Sequence, residues 1–232
     1  KEAANGEEAA DSTAEGGDLT VIAGAAPLRA VAELIGESDR LRYLSAAMHA
    51  EMMRELRWPG VDDLSWGLDV RTLELDESDL AKLQVARRAD VMAYLDRWGV
   101  GRALGDASRD RIASSGAVAI VTTAGREPAD YVRGGQALER MWMAAQEAGV
   151  GVHPVSPVFL YAHSAEDFAD LSESHSADLA QLSEQFRSLM GISHADSSVL
   201  VLRLSNAAPA TLRSGRQPLD RVLDVRTGQS AM

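Results

Sequence analysis

Gly134-Gly135-Gln136-Ala137-Leu138-Glu139-Arg140-Met141-Trp142-Met143-Ala144-Ala145-Gln146-Glu147-Ala148-Gly149-Val150-Gly151-Val152-His153-Pro154-Val155-Ser156-Pro157 is the stretch on which the reading of this chain turns. Leu138, Met141, Trp142 and Ala145 recur at i, i+3, i+4 and i+7, one apolar stripe, while Glu139, Arg140, Gln146 and Glu147 fill the rest of the helical circle. The spacing predicts a core helix. It opens on Gly134 and Gly135, which lack a Cβ and so admit another backbone or a flat ligand, and it stops at Gly149, where a left-handed cap costs little. From Gly151 to Val158 the chain then carries Pro154 and Pro157, which donate no backbone hydrogen bond, so a neighbouring group is expected to use the donors that remain.

Before this stretch, Ala117-Val118-Ala119-Ile120-Val121-Thr122-Thr123 is a continuous apolar, β-rich run that suits a buried central strand. Ser198 to Leu204 is a second clear strand, and Leu19-Thr20-Val21-Ile22 a short first one. Pro27 fits a first helical turn, with Leu28, Val31 and Leu34 on a helix face up to Gly36. Ser38 or Asp39 then caps a second helix carrying Leu41, Leu44, Met48, Met52 and Leu56 until Trp58-Pro59-Gly60; its methionines read as core, since Met fills irregular gaps. One long or two consecutive helices are expected from Glu77 to Trp98, another helical segment from Arg102 to Ala113, and a helix capped near Ser176 that carries Leu179, Leu182, Phe186 and Leu189. No fixed-period repeat occurs. Helices outnumber strands without regular βαβ alternation, which predicts an α+β domain with a small central sheet.

With 232 residues and 46% hydrophobic content, the chain can bury one good core. The net charge of -12 repels phosphate backbones, and no run of lysines or arginines offsets it, so nucleic acid is not an expected partner. Zero cysteines exclude disulfides, thiolate zinc sites and thiol nucleophiles, and no apolar run approaches membrane-spanning length; a cytoplasmic protein is the expectation. Residues 1–18 hold six acids against one lysine with almost nothing to bury, and read as a disordered linker or remnant, with more chain expected before Lys1. The tail from Pro218 to Met232 carries Leu219, Val222, Leu223 and Val225 on a segment too short to bury them, and so needs a partner surface. The three parts are thus 1–18, 19–217 and 218–232.

The familiar catalytic motifs are absent: no Gly-x-Ser-x-Gly elbow, no Gly-x-Gly-x-x-Gly and no His-Glu-x-x-His. His49 and Glu51 are two apart, on different faces of a helix, which argues against a metal pair. His153 has no acid near it in sequence to orient its ring; a hydrogen-bonded structural histidine and a site residue are both open readings.

The paired glycines, the Trp-bearing helix, the Gly-Val-Gly turn and His153-Pro154-Val155-Ser156-Pro157 resemble the central helix and flavin-contact segment of the FMN-dependent nitroreductase family. Ser198 to Ser205, Asn206-Ala207-Ala208-Pro209 and Arg213-Ser214-Gly215-Arg216-Gln217-Pro218-Leu219 resemble that family's late strand and basic phosphate-binding segment. The likeness covers roughly 116–220 well and 19–100 loosely, where it is nearest to the nitroreductase-like half of proteins that also carry an E1-like adenylating domain. The resemblance implies a mainly antiparallel sheet flanked by helices and a homodimer whose C-terminal arm, residues 218–232, packs on the partner subunit. It further implies FMN, with Ser156, Pro157 and Val158 approaching the ring through main-chain groups, Gly134 and Gly135 leaving room nearby, and Arg213 and Arg216 holding the phosphate. Two parts of the family pattern are missing: the early Arg-Arg-Ser or Arg-Ser phosphate motif, and Pro-Ser-x-x-Asn-x-Gln. Arg87-Arg88 lies in the wrong place to replace the first.

Two functions fit these features. One is a flavin-dependent oxidoreductase that passes electrons from NAD(P)H to a small conjugated acceptor, the ring doing the chemistry and the protein placing it. The other is a non-catalytic nitroreductase-like module that sequesters flavin or scaffolds a fused or partner adenylating domain.

Overall fold

The computed structural model describes residues 16–206, 208, 211–213, 215 and 217–223. Four strands, β1 (Asp18–Ala23), β4 (Ala117–Ala124), β5 (Gly151–Val155) and β6 (Asp196–Ser205), form an antiparallel sheet in the order β1-β4-β6-β5. The apolar run at Ala117 takes a central place because it is apolar on both faces, and both faces are covered. On one face, Val118, Ile120 and Val201 pack with Leu28, Val31, Ile35 and Leu41 of α1 (Ala25–Leu44) and with Leu179 and Phe186 of α8 (Ser176–Met190). On the other, Val121 and Val199 pack against Ala137 of α6 (Pro128–Glu147). The result is an α+β domain of helix, sheet and helix layers.

Between those strands lie α2 (Ala46–Glu55), the two-residue parallel pair β2 (Leu56–Arg57) and β3 (Leu68–Asp69), α3 (Glu77–Ala86), α4 (Ala89–Arg97) and α5 (Asp106–Ala113). Leu56, Val70 and Leu83 make a small satellite core there, apart from the main one. The stretch from Glu77 to Trp98 is thus two helices. The short helix α7 (Ala165–Leu171), whose Ser164 Oγ accepts from Asp167 N at 3.1 Å, has no counterpart among the sequence-based expectations. A single turn, α9 (Leu219–Val222), ends the described chain, with Leu219, Val222 and Leu223 all exposed.

Several expectations are corrected. The helix after Pro27 does not stop at Gly36: α1 runs through it to Leu44, because Gly36 is where α5 crosses closely, and a Cβ there would stand 2.3 Å from Arg109 Cγ. Ser38 is therefore buried mid-helix instead of capping, and the chain breaks at Ser45, whose backbone is extended. The central helix begins at Pro128, not at the glycines, with Asp130 accepting from Glu127 N at 2.8 Å. Nor is it a core helix: Asp130, Gly134 and Ala137 are buried, whereas Leu138, Met141, Trp142 and Ala145 are only half covered. His153 to Val155 is part of an edge strand, β5, and Pro154 is tolerated there because an edge leaves one side of the ladder unpaired.

Candidate functional site

The sheet edge sets the site. At the end of β5 the chain is fixed on both sides of Pro157: Arg42 of α1 donates to Ser156 O, and Val158 N donates to Ser38 Oγ at 2.9 Å. Ser38 and Arg42, one helical turn apart, thus use the donor and acceptor that the proline-interrupted segment leaves over. Phe159, 1% exposed and tilted against Phe186 at a ring-centroid distance of 5.6 Å, anchors the end of this segment in the main core.

Two cavities meet beside this segment. The larger, about 370 Å³, lies between the main and satellite cores, with walls from Tyr43, Met52, Leu56, Leu73, Leu83 and Leu104. The smaller, about 160 Å³, is bounded by Ile35, Ile112, His153, Pro154, Val155 and Ser156. Asp39, Arg42, Ser108 and Arg111 line both, so the two cavities of this cleft adjoin at those side chains; Glu55, Asp79 and Lys82 add charge to the otherwise apolar larger one.

The smaller cavity is cationic. Among the described residues Asp39 is its single lining acid, and it is already engaged, accepting from Ser108 Oγ and standing 3.4 Å from Arg42 Nη1. His153 pairs across the strands with Arg203, whose Nε donates to Ser115 Oγ at 2.8 Å. Burial, then Arg111 and Arg203, hold the His153 imidazole below its ordinary range. The Arg203 guanidinium is itself pushed down by burial and by Arg111. Burial and Asp39 push the Tyr43 phenol up, against Arg42 and Arg111. The half-buried Arg111 side chain has neither a hydrogen bond nor an ion pair among the described residues.

The other residues nominated from the sequence lie elsewhere. Gly134 faces the sheet, and its missing side chain is filled by protein, since a Cβ would come within 2.4 Å of Val199 Cγ2; Gly135 has nothing within 4 Å. Both are across the sheet from the cleft. Arg213 is exposed on a segment held to the β2–β3 region, where Thr211 N donates to Glu74 Oε1 at 2.8 Å and Gln217 donates to Ser65 O; it lines neither cavity. Arg216 lies outside the described residues. His49 is buried and bonded through Nε2 to Ala86 O at 2.7 Å, a structural tie between α2 and α3. Trp66 covers the Arg57 guanidinium at 3.1 Å from the ring centroid, an ordinary packed loop. Arg42 and Arg111, which line the smaller cavity, and Arg203, which stands beside Arg111 and His153, come from three elements far apart in the chain and share no local motif. Among the described residues no cluster of three or more His, Asp or Glu could hold a metal ion, and no helix is long and apolar enough to cross a membrane.

No family model matches the sequence. The chain is 40% identical over 206 residues to an uncharacterized protein, MT1398, of Mycobacterium tuberculosis (strain CDC 1551 / Oshkosh); the match covers 89% of this chain and 29% of that protein. The chain therefore spans less than a third of its relative's length. Among solved structures it is similar to a nitroreductase-like family protein from Bacillus cereus, with a TM-score of 0.45, 13% identity, and 94% of this chain and 77% of the other covered. A second is the FMN-dependent nitroreductase NfnB from Mycobacterium smegmatis in complex with NADPH, with a TM-score of 0.42, 14% identity and coverage of 91% and 79%. At these scores neither likeness assigns a family or an activity.

Proposed function

We propose that this chain is a nitroreductase-like, FMN-dependent oxidoreductase domain that passes electrons from NAD(P)H to a small conjugated acceptor. One observation carries the reading: the main chain of Ser156-Pro157-Val158, the segment that resembles a flavin contact, is held by two hydrogen bonds beside adjoining cavities, the larger with apolar walls at Leu56, Leu73 and Leu83 and the smaller lined by Arg42 and Arg111. The larger cavity alone is of the size that takes small molecules. The cleft's donor set fits the cofactor in kind, since a flavin needs apolar walls for a flat ring and cations for a phosphate. Flavin, when bound, supplies the hydride chemistry. The chain's part is binding and orientation: Tyr43, Leu56, Leu73 and Leu83 exclude water, and Arg42 fixes the Ser156 carbonyl. Arg213 and Arg216 remain the phosphate donors that the sequence nominates.

The homodimer belongs to the same reading. Leu219, Val222 and Leu223 are exposed in the single chain, and a partner subunit would cover them, each fully buried Leu or Val contributing roughly 1.5–3 kcal/mol before ordering costs. Deleting 218–232 is expected to lower the mass seen by light scattering from dimer to monomer; unchanged mass removes the arm's role.

The test of function is a titration of the purified protein with FMN, followed by flavin fluorescence, then NAD(P)H consumption with a quinone or nitroaromatic acceptor. Bound flavin reduced by NAD(P)H and reoxidised by the acceptor is expected. Absence of flavin binding overturns the proposal. The second reading, a non-catalytic module that sequesters flavin or scaffolds an adenylating domain, is favoured by the exposed Arg213 and by Val199 filling the space at Gly134. Flavin that binds and is never reduced decides for it.

A further inference from the structure

We infer that the smaller cavity is a binding site for an organic phosphate, whose apolar part extends into the adjoining cleft. The site is built from Arg42, Arg111, His153 and Ser108, with Arg203 behind them. It does not depend on flavin being the ligand.

Some cations of this chain stand beside acids: Arg109 bonds Glu33 at 3.1 Å and Asp106 at 2.6 Å, and Arg88 bonds Asp90 at 2.5 Å. Along the small cavity, two arginines, Arg42 and Arg111, face one acid, Asp39. Arg111 has no acceptor among the described residues, Arg203 reaches only a serine hydroxyl, and the lining acid, Asp39, is already taken by Ser108 and Arg42. Asp39 offsets Arg42, whereas Arg111 and Arg203 have no acid partner among the described residues, and their mutual repulsion is a cost that an anion in the cavity reduces. A phosphate monoester suits the donors present. It carries more than one negative charge and several acceptor oxygens, and a guanidinium meets two of them at once. The adjoining cavity, with apolar walls at Leu56, Leu73 and Leu83, then favours a ligand with an apolar body over the free ion.

The test uses the full chain. Inorganic phosphate, phenyl phosphate, FMN and riboflavin are titrated separately into the parent, Arg111→Gln and Arg42→Gln by calorimetry, with the His153 ring followed by NMR. Phenyl phosphate is expected to bind the parent more tightly than inorganic phosphate does, and Arg111→Gln to weaken it by roughly tenfold or more, the scale of one charge-assisted hydrogen bond. Bound phosphate should also raise the pH at which His153 titrates, since Arg111 of α5, Arg203 of β6, and Arg42 and Asp39 of α1 are the charges around it. If Arg111→Gln removes the preference for FMN over riboflavin, the phosphate is the cofactor's. If that preference persists while phenyl phosphate binding is lost, the phosphate is a substrate's; either outcome supports the site. Phosphate that fails to bind, or binds both variants as it binds the parent, overturns it. Phosphate binding without flavin binding removes the flavin proposal and leaves this one standing.

Discussion

Ser156-Pro157-Val158 and Arg213 are nominated by the sequence for one cofactor, and the structure places them differently. The first continues an edge strand in register with β6, has its free backbone groups taken by Ser38 and Arg42, and runs directly into the buried Phe159. Arg213 comes after the last strand and lies in solvent, between Thr211 and Gln217, which are tied by exposed hydrogen bonds to Glu74 and Ser65. A segment tied into a sheet and a core presents its groups at a fixed place with no ligand present. Exposed hydrogen bonds such as those at Thr211 and Gln217 open more readily than bonds backed by a core.

That contrast is tested hardest at its anchors. Phe159→Ala is expected to cost about 3–5 kcal/mol, since a fully buried ring leaves a cavity, while Leu219→Ala, at 69% exposure, should stay within about 0.5 kcal/mol in the isolated chain. Urea denaturation of each variant measures both. Comparable losses would mean that the C-terminal turn is packed as firmly as the cleft segment, and the contrast fails.

The glycine pair repeats the contrast within one helix. Gly134→Ala brings a methyl against Val199 and should destabilise by about 1–3 kcal/mol, whereas Gly135→Ala meets nothing and should stabilise by about 0.5–1 kcal/mol through helix propensity. Thermal melts that move in the same direction for both would remove the close-approach account of Gly134 and reopen that space for a ligand.

Much of the architecture was legible because period and burial report on each other. The run from Ala117 is apolar at every position as far as Val121 and is buried on both faces, and Leu179, Leu182 and Phe186 fall on one helical face and meet the core. What misled was local chemistry overruled by packing. Gly36 reads as a helix stop, yet α1 continues because α5 needs the space, and a Trp-bearing stripe reads as core although this chain covers only half of it. The cationic smaller cavity was not legible at all. A basic run would have announced itself, but Arg42, Arg111 and Arg203 become neighbours only when α1, α5 and β6 are assembled.

The smallest expected effect is in pH. Burial and the cations Arg111 and Arg203 hold His153 below its ordinary range, and burial, Arg126 and Arg187 do the same to His163. Each imidazole therefore binds its proton more readily in the unfolded chain. Stability should fall as pH drops from about 6.5 toward the folded-state values, and the loss is complete below them. The window is clean, because carboxylates such as Asp69 and Asp167 are held below their usual range and lose their contribution only under about pH 4. The segment from Thr211 to Leu223 has no histidine, so nothing there titrates between about pH 5 and 7. His153→Gln keeps hydrogen-bonding capacity without the charge, and its melting temperature should drop less than the parent's from about pH 7 to about pH 5. Since His153 is only partly withdrawn from water at the strand edge, the difference should be smaller than that made by Gly134→Ala. Phosphate added to the parent should flatten the same slope, by adding negative charge beside Arg111 and His153. Identical pH profiles for parent and variant would show that His153 is screened by solvent, and would take from the cleft its role as the acid-sensitive half of the comparison.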